Sequence, residues 1–330
     1  MILTLLPVLA APVRGGEPVK YELLRVLGSS GGVRPPERFG GRYGKLLFGK
    51  PAPPLRVPDS VAVDPEGRVW ITDRGTKSVH MFDNGRNRFK VIGGAGQLDF
   101  QCPAGIDSDS MGFVFVADRC LGRIFVFDRD AKFARFLAGG QAGLVLKRPT
   151  ALAVSRDRKM IFVLDEACGK LVVLNAEGER LRGWDVPSEP GRSGAVAVSG
   201  GKAYVLGGKR NEIHMYSSTG SFLGVLKWDQ ARNVGAFAYD HDRRVFYAGD
   251  GLFRTILAFA ESGDVIGAFG QTGPGPAQME SIESIYVDAA GRIYVVDSRN
   301  AKVLVFREEG AGIRTPREPP ERPTLQRRRQ

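Results

Sequence analysis

From residue 55 to residue 306 the apolar positions come in short runs split by polar interruptions, a pattern that calls for strands and turns rather than helices. The clearest unit runs from Phe113 to Phe127, FVFVADRCLGRIFVF: an apolar run, a polar interruption containing Asp118, and a second apolar run. Successive apolar positions in the first run suit a strand covered on both faces, and its Val and Phe content favours a pleated surface. The unit therefore reads as strand, turn, strand.

Versions of this unit return along the chain. The segments 70–79, 115–124, 162–171, 204–213, 247–256 and 294–303 align without a gap, each opening on an aromatic residue. Asp73, Asp118, Asp165, Asp250 and Asp297 hold the fourth place, and Gly207 is the one departure. An Asp at a strand end can turn its carboxylate onto backbone N–H groups one or two residues on, so these five are expected to be structural turn residues. The spacing from Asp73 to Asp118 is 45 residues and from Asp250 to Asp297 is 47, a propeller-blade period. Each unit also has an earlier strand, such as SVAVD at 60–64 or SIYVD at 284–288, and most have a later one ending near Gly, such as FKVIGG at 89–94. The fold expected is all-β: a six-bladed β-propeller of four-stranded antiparallel blades. The sixth repeat lacks an outer strand of its own, because Phe306 runs into a charged, Pro-rich stretch. Residues 17–30 contain a strand without a blade, and pairing Tyr21 to Gly28 beside Lys302 to Phe306 would close the ring and cover an open edge.

These residues resemble the NHL-repeat family of six-bladed β-propellers, whose blades read PxGIAVDxxGxIYVADxxNxRIxVF. Pro58 to Phe82, Pro103 to Phe127 and Glu283 to Phe306 carry the pattern most fully. Repeats four and five depart from it, with Gly207 in place of Asp and HDRR at 241–244 in place of the Gly turn. The resemblance implies the fold but leaves function open, since such a family includes binding scaffolds, RNA binders and some enzymes.

Charge changes the picture less than its total suggests. The net charge is +11, but residues 1–54 carry eight basic against three acidic residues and residues 307–330 seven against four. The repeats keep 32 against 29, which does not call for a nucleic-acid partner. Residues 1–13 begin with MILTLLPVLAA, too short to span a bilayer and ending in small residues, and are read as a secretory signal segment without a basic n-region. An exported, periplasmic or extracellular protein with no transmembrane segment is expected. Residues 31–54 read as a connecting segment, 55–306 as the repeats, and 307–330 as a disordered, basic, Pro-rich tail.

Catalytic signatures are scarce. A zinc site needs three or four converging ligands, and repeat position separates His80, His214 and His241. Asp107, Asp109, Gly112 and Asp118 partly imitate a calcium loop, but Met111 takes a ligand place and the FVFV run is the best strand in the chain. No GxSxG elbow, Walker loop or HExxH motif occurs. No metal or cofactor is expected. Cys102, in the connection into repeat two, and Cys120, in its next turn, share a face and form a candidate disulfide, which leaves Cys168 free.

The favoured reading is a non-enzymatic binding or scaffold propeller of the cell envelope, monomeric, presenting one face to a protein or anionic glycan partner. The turns between second and third strands gather on one face and supply Arg74, Lys77, Arg119, Glu166, Lys209, Arg210, Phe253, Arg254 and Arg299. Two alternatives stay open. One is a metal-dependent hydrolase or lyase of gluconolactonase-like or amidating-lyase-like kind, with channel carboxylates as ligands; the other is an RNA-binding propeller.

Overall fold

The computed structural model describes residues 19–28 and 54–309, apart from 87, 138–144, 156–158, 188–193, 210, 232, 274 and 276. The expected signal segment, nearly all of the 31–54 connection and residues 310–330 of the tail lie outside the described residues.

Six four-stranded sheets form in chain order. Blade 1 is Pro58–Val63, Val69–Asp73, Ser78–Asp83 and Arg88–Ile92. Blade 2 is Pro103–Ser108, Val114–Asp118, Arg123–Phe127 and Phe133–Leu137. Blade 3 is Pro149–Val154, Ile161–Asp165, Lys170–Leu174 and Arg180–Asp185. Blade 4 is Val196–Ser199, Lys202–Leu206, Glu212–Ser217 and Phe222–Lys227. Blade 5 is Val234–Asp240, Val245–Asp250, Thr255–Ala260 and Val265–Phe269. Blade 6 takes three strands from the end of the repeats, Ser284–Val287, Ile293–Asp297 and Lys302–Glu308, and its outer strand, Tyr21–Leu27, from the N-terminal region.

The closing strand pairs antiparallel with Lys302–Glu308, with Leu23 opposite Phe306 and Leu27 opposite Val303. It also reaches sideways: Val19 bridges Gly267 in the outer strand of blade 5, so the same segment ties two blades. The last repeat strand runs past Phe306 to Glu308, which corrects the tail boundary placed at 307. Arg307 and Glu308 are held there by ion pairs, Arg307 to Glu22 at 2.6 Å and Glu308 to Arg243 of blade 5.

The core is divided among the blade interfaces. Six buried clusters lie one between each pair of neighbouring blades, closed between blades 6 and 1 by Leu27, Val61, Ile71, Tyr294 and Val303. Second strands are buried on both faces, as the runs Val114–Asp118 and Ile161–Asp165 show at every position. That is why their sequences are continuous apolar runs rather than alternating ones.

Candidate functional site

In blades 1, 2, 5 and 6 the turn between second and third strands is held from inside by the Asp that opens it. Asp73 accepts the N–H groups of Gly75 and Thr76 in its own turn, at 2.8 and 3.1 Å. It also accepts Arg56 and Val57 in the connection that enters the blade, at 2.7 and 3.0 Å. Asp118 repeats this with Cys120, Leu121, Gln101 and Cys102. Asp297 takes Asn300, Glu280 and Ser281, Asp165 takes Lys147 and Arg148, and Asp250 takes Leu252 and Phe253. In blades 1, 2 and 6 one buried carboxylate thus fixes two loops on the same face. In blade 4 a Cβ at Gly207 would lie 2.6 Å from the His214 ring, so the imidazole occupies the space that the Asp side chain takes elsewhere.

In blade 2 the same two loops are also joined covalently. Cys102 and Cys120 form a disulfide with Cα atoms 5.4 Å apart, and Cys168 is a free, half-buried thiol.

The residue just before the third strand is left-handed in five blades: Lys77, Gly122, Gly169, Arg254 and Ala301. At Gly122 only Gly fits, because a Cβ would sit 2.2 Å from the Leu146 carbonyl oxygen. Lys77 and Arg254 hold the same conformation despite a side chain that disfavours it.

The nine turn residues singled out from the sequence do not form one uniform surface. Lys77, Lys209, Phe253 and Arg299 are exposed, and Arg74, Arg119 and Arg254 are half-buried. Glu166 is buried and pairs with Arg148 at 3.6 Å, so it is a structural residue of the blade 3 turn and not part of an open face. Arg210 lies outside the described residues. Leu252 and Phe253 stand out at the tip of the blade 5 turn, 61% and 56% exposed.

Arg74 and Arg119 turn toward the ring axis. There a channel of about 170 Å³ is lined by the innermost strands of all six blades. One residue past the position that faces the fourth-place turn residue, each inner strand contributes to the tier nearest this face: Asp59, Ala104, Thr150, Gly194, Gly235 and Glu283, set equivalent by strand register. The Arg74 Nε lies 3.8 Å from an Asp59 carboxylate oxygen. Burial pushes Asp59 up to about 6, against the pull of Arg119 and Arg74 and with a further push from Glu283. Glu283 accepts a hydrogen bond from Ser298 Oγ at 2.9 Å. Three residues further along the inner strand of blade 2, Asp107 accepts the N–H groups of Val154 and Ser108. Burial pushes it up to about 7, those two donors opposing. Nothing in the repeat pattern singled out Asp59, Thr150 or Glu283, although lining up the inner strands by register would have placed them in one tier.

Each histidine is engaged within or next to its own blade. His80 meets Thr76 at 3.1 Å, His214 meets Glu212 at 3.4 Å, and His241 meets Ser199. Among the described residues no three His, Cys, Asp or Glu side chains come together in a metal-binding group. Among them, too, no helix is long and apolar enough to cross a membrane.

The family model of the NHL repeat matches residues 100–127, the run from Phe100 through the disulfide turn of blade 2 to Phe127. No curated protein matches the chain in sequence. With six four-stranded blades closed into a ring, the chain is a six-bladed β-propeller whose second blade matches the NHL repeat.

Proposed function

We propose that this propeller is a non-enzymatic binding scaffold of the cell envelope, which uses the face of the second-to-third-strand turns to hold an acidic protein segment or an anionic glycan. The observation that carries the reading is the blade 5 turn. Leu252 and Phe253 project into solvent from a loop whose backbone is pinned to Asp250, with Arg254 beside them in a left-handed conformation. An exposed aromatic residue and an adjacent Arg on a rigid support are the residue types that anchor interfaces, and a pre-ordered loop loses little entropy on binding. Exposed Lys77, Lys209 and Arg299 extend the basic character around the rim.

The disulfide between Cys102 and Cys120 supports an oxidising location, since such bonds persist outside the reducing cytosol. Of the channel carboxylates, Asp59 and Glu283 share a tier while Asp107 stands three register positions deeper, an arrangement that supports binding over a metal centre of three converging ligands.

Affinity capture from the native envelope tests the reading, with Leu252→Ser/Phe253→Ser as one bait and Lys77→Ser/Arg299→Ser as another. The first is expected to lose the partner. The second is expected to weaken capture most at low salt, the difference from the parent shrinking as salt rises. Glycosidase treatment of the captured material separates a glycan from a protein partner, and undiminished capture by both baits would refute this face.

A further inference from the structure

The mouth of the channel holds polar groups that the fold itself does not use. Hydroxyls elsewhere along the channel stitch blades together: Ser60 pairs with Ser284 at 3.2 Å, and Ser108 and Tyr286 both donate to the Val63 carbonyl oxygen. Thr72 of blade 1 likewise donates to Ala104 of blade 2 at 2.7 Å. Thr150 is different. It is 5% exposed, lines the channel, and its Oγ1 has no hydrogen-bond partner among the described residues. Asp59, in the same tier and 9% exposed, has Arg74 at 3.8 Å, beyond hydrogen-bond distance, and is also drawn on by the charge of Arg119. Buried polar groups are nearly always satisfied, because leaving one unpaired forfeits its hydration without return. An unpaired Thr150 hydroxyl in the same tier as the Asp59 carboxylate calls for a ligand.

The surroundings define its chemistry. Asp59 and Glu283 supply two carboxylates, and Arg74 and Arg119 supply two guanidinium groups coupled to Asp59, so the mouth is balanced in charge and favours neither an anion nor a cation. Acceptors and donors are interleaved there, Arg74 lying next to Asp59, rather than divided into a positive and a negative half as a zwitterion would need. Gly194 lines the channel with no side chain, and Ala104 and Gly235 hold the equivalent register positions, so these three blades add little side-chain bulk to the mouth. A channel of about 170 Å³ holds on the order of ten waters, room for one small ring and not for a chain.

We infer that the channel mouth is a binding site for a single neutral sugar residue, whose hydroxyls donate to Asp59 and Glu283 and accept from Thr150 and Arg74. This site goes beyond the proposed partner face: it lies inside the ring and stands whether or not the rim binds a macromolecule.

Saturation-transfer NMR and calorimetric titration of the full chain provide the test, with D-glucose, D-galactose and N-acetyl-D-glucosamine as probes, and L-alanine and ethylammonium as zwitterionic and cationic comparators. At least one sugar is expected to bind. Thr150→Val is expected to weaken it at least about fivefold, the loss of one hydrogen bond, with an unchanged or raised melting temperature, since the hydroxyl contributes nothing to the fold. Asp59→Asn is expected to weaken the same sugar. The inference is overturned if no sugar binds, if only L-alanine or ethylammonium binds, or if a bound sugar is indifferent to both substitutions.

Discussion

A carboxylate that collects four backbone N–H groups from two loops, as Asp118 does, has no substitute among the other side chains. Asp118→Ala leaves those donors to find water or nothing, and is expected to destabilise the protein by about 3–5 kcal/mol in urea unfolding. Asp59 behaves in the opposite sense. Its folded carboxyl is pushed up to about 6, above the ordinary 3.8, so the folded state holds the proton more tightly than the unfolded chain. The associated stability is fully present below about pH 4 and is lost as pH rises through 6. Asp59→Asn, which keeps the shape without the charge, is therefore expected to exceed the parent in stability by about 2 kcal/mol at pH 8. The two should converge near pH 4, and urea midpoints at both pH values check this. Half of the Asp role was legible in the sequence, because the contact to the Asp's own turn is local. The other half, the grip on the preceding connection 16 or 17 residues earlier, depends on how the inner strand returns beside the second one. That return is set by pairing and not by neighbours along the chain.

Among the elements, the strand Tyr21–Leu27 does the most for its length. Leu27 is fully buried between blades 6 and 1, whereas Leu24 is 38% exposed. Leu27→Ala is expected to cost about 3 kcal/mol, against under about 0.5 kcal/mol for Leu24→Ala, measured by the same unfolding curves. The sequence exposed this strand by its lack of a blade and exposed the sixth repeat by its lack of an outer strand. It placed the end of the last strand too early because Arg307 and Glu308 are charged. In the ring they face Glu22 and Arg243, contributed from far along the chain, and those pairs carry the strand two residues further. The disulfide acts on an element of similar size. Cys102 and Cys120 are 18 residues apart, and Cys102→Ser/Cys120→Ser is expected to lower stability by about 3 kcal/mol through the freer unfolded chain. Thermal melts of the double variant beside the parent with and without reductant separate that effect from damage to the fold.

At the scale of the molecule, six interface clusters are linked in a circle, and the circle is completed by a strand from the other end of the repeats. A repeat array that is open at one interface unfolds with less cooperativity than a closed one and leaves a strand edge free to pair with another copy. The full chain is expected to unfold in one transition by fluorescence and circular dichroism. A chain lacking residues 1–28 is expected to show separated transitions or to elute as oligomers in size exclusion, because Lys302–Glu308 then becomes an uncovered edge. Closure also explains why the face turns differ in character. Arg74 and Arg119 reach inward because the ring brings Asp59 to the axis beside them, while Lys77 and Arg299 keep to the rim.

Sequence alone determined the strand runs, the count of six repeats, the turn Asp in five of them and the partner of the closing strand. All of these follow from periodicity and from turn chemistry, which are written in consecutive residues. Tertiary structure decided what meets across the axis. Asp59 and Glu283 are 224 positions apart in the chain and become neighbours only because blade 6 closes against blade 1. The same closure decides burial: Glu166 occupies a turn position that is open in blade 5, yet it is covered and paired with Arg148. A side chain's exposure depends on the blade that packs beside it, and its own repeat carries no record of that neighbour.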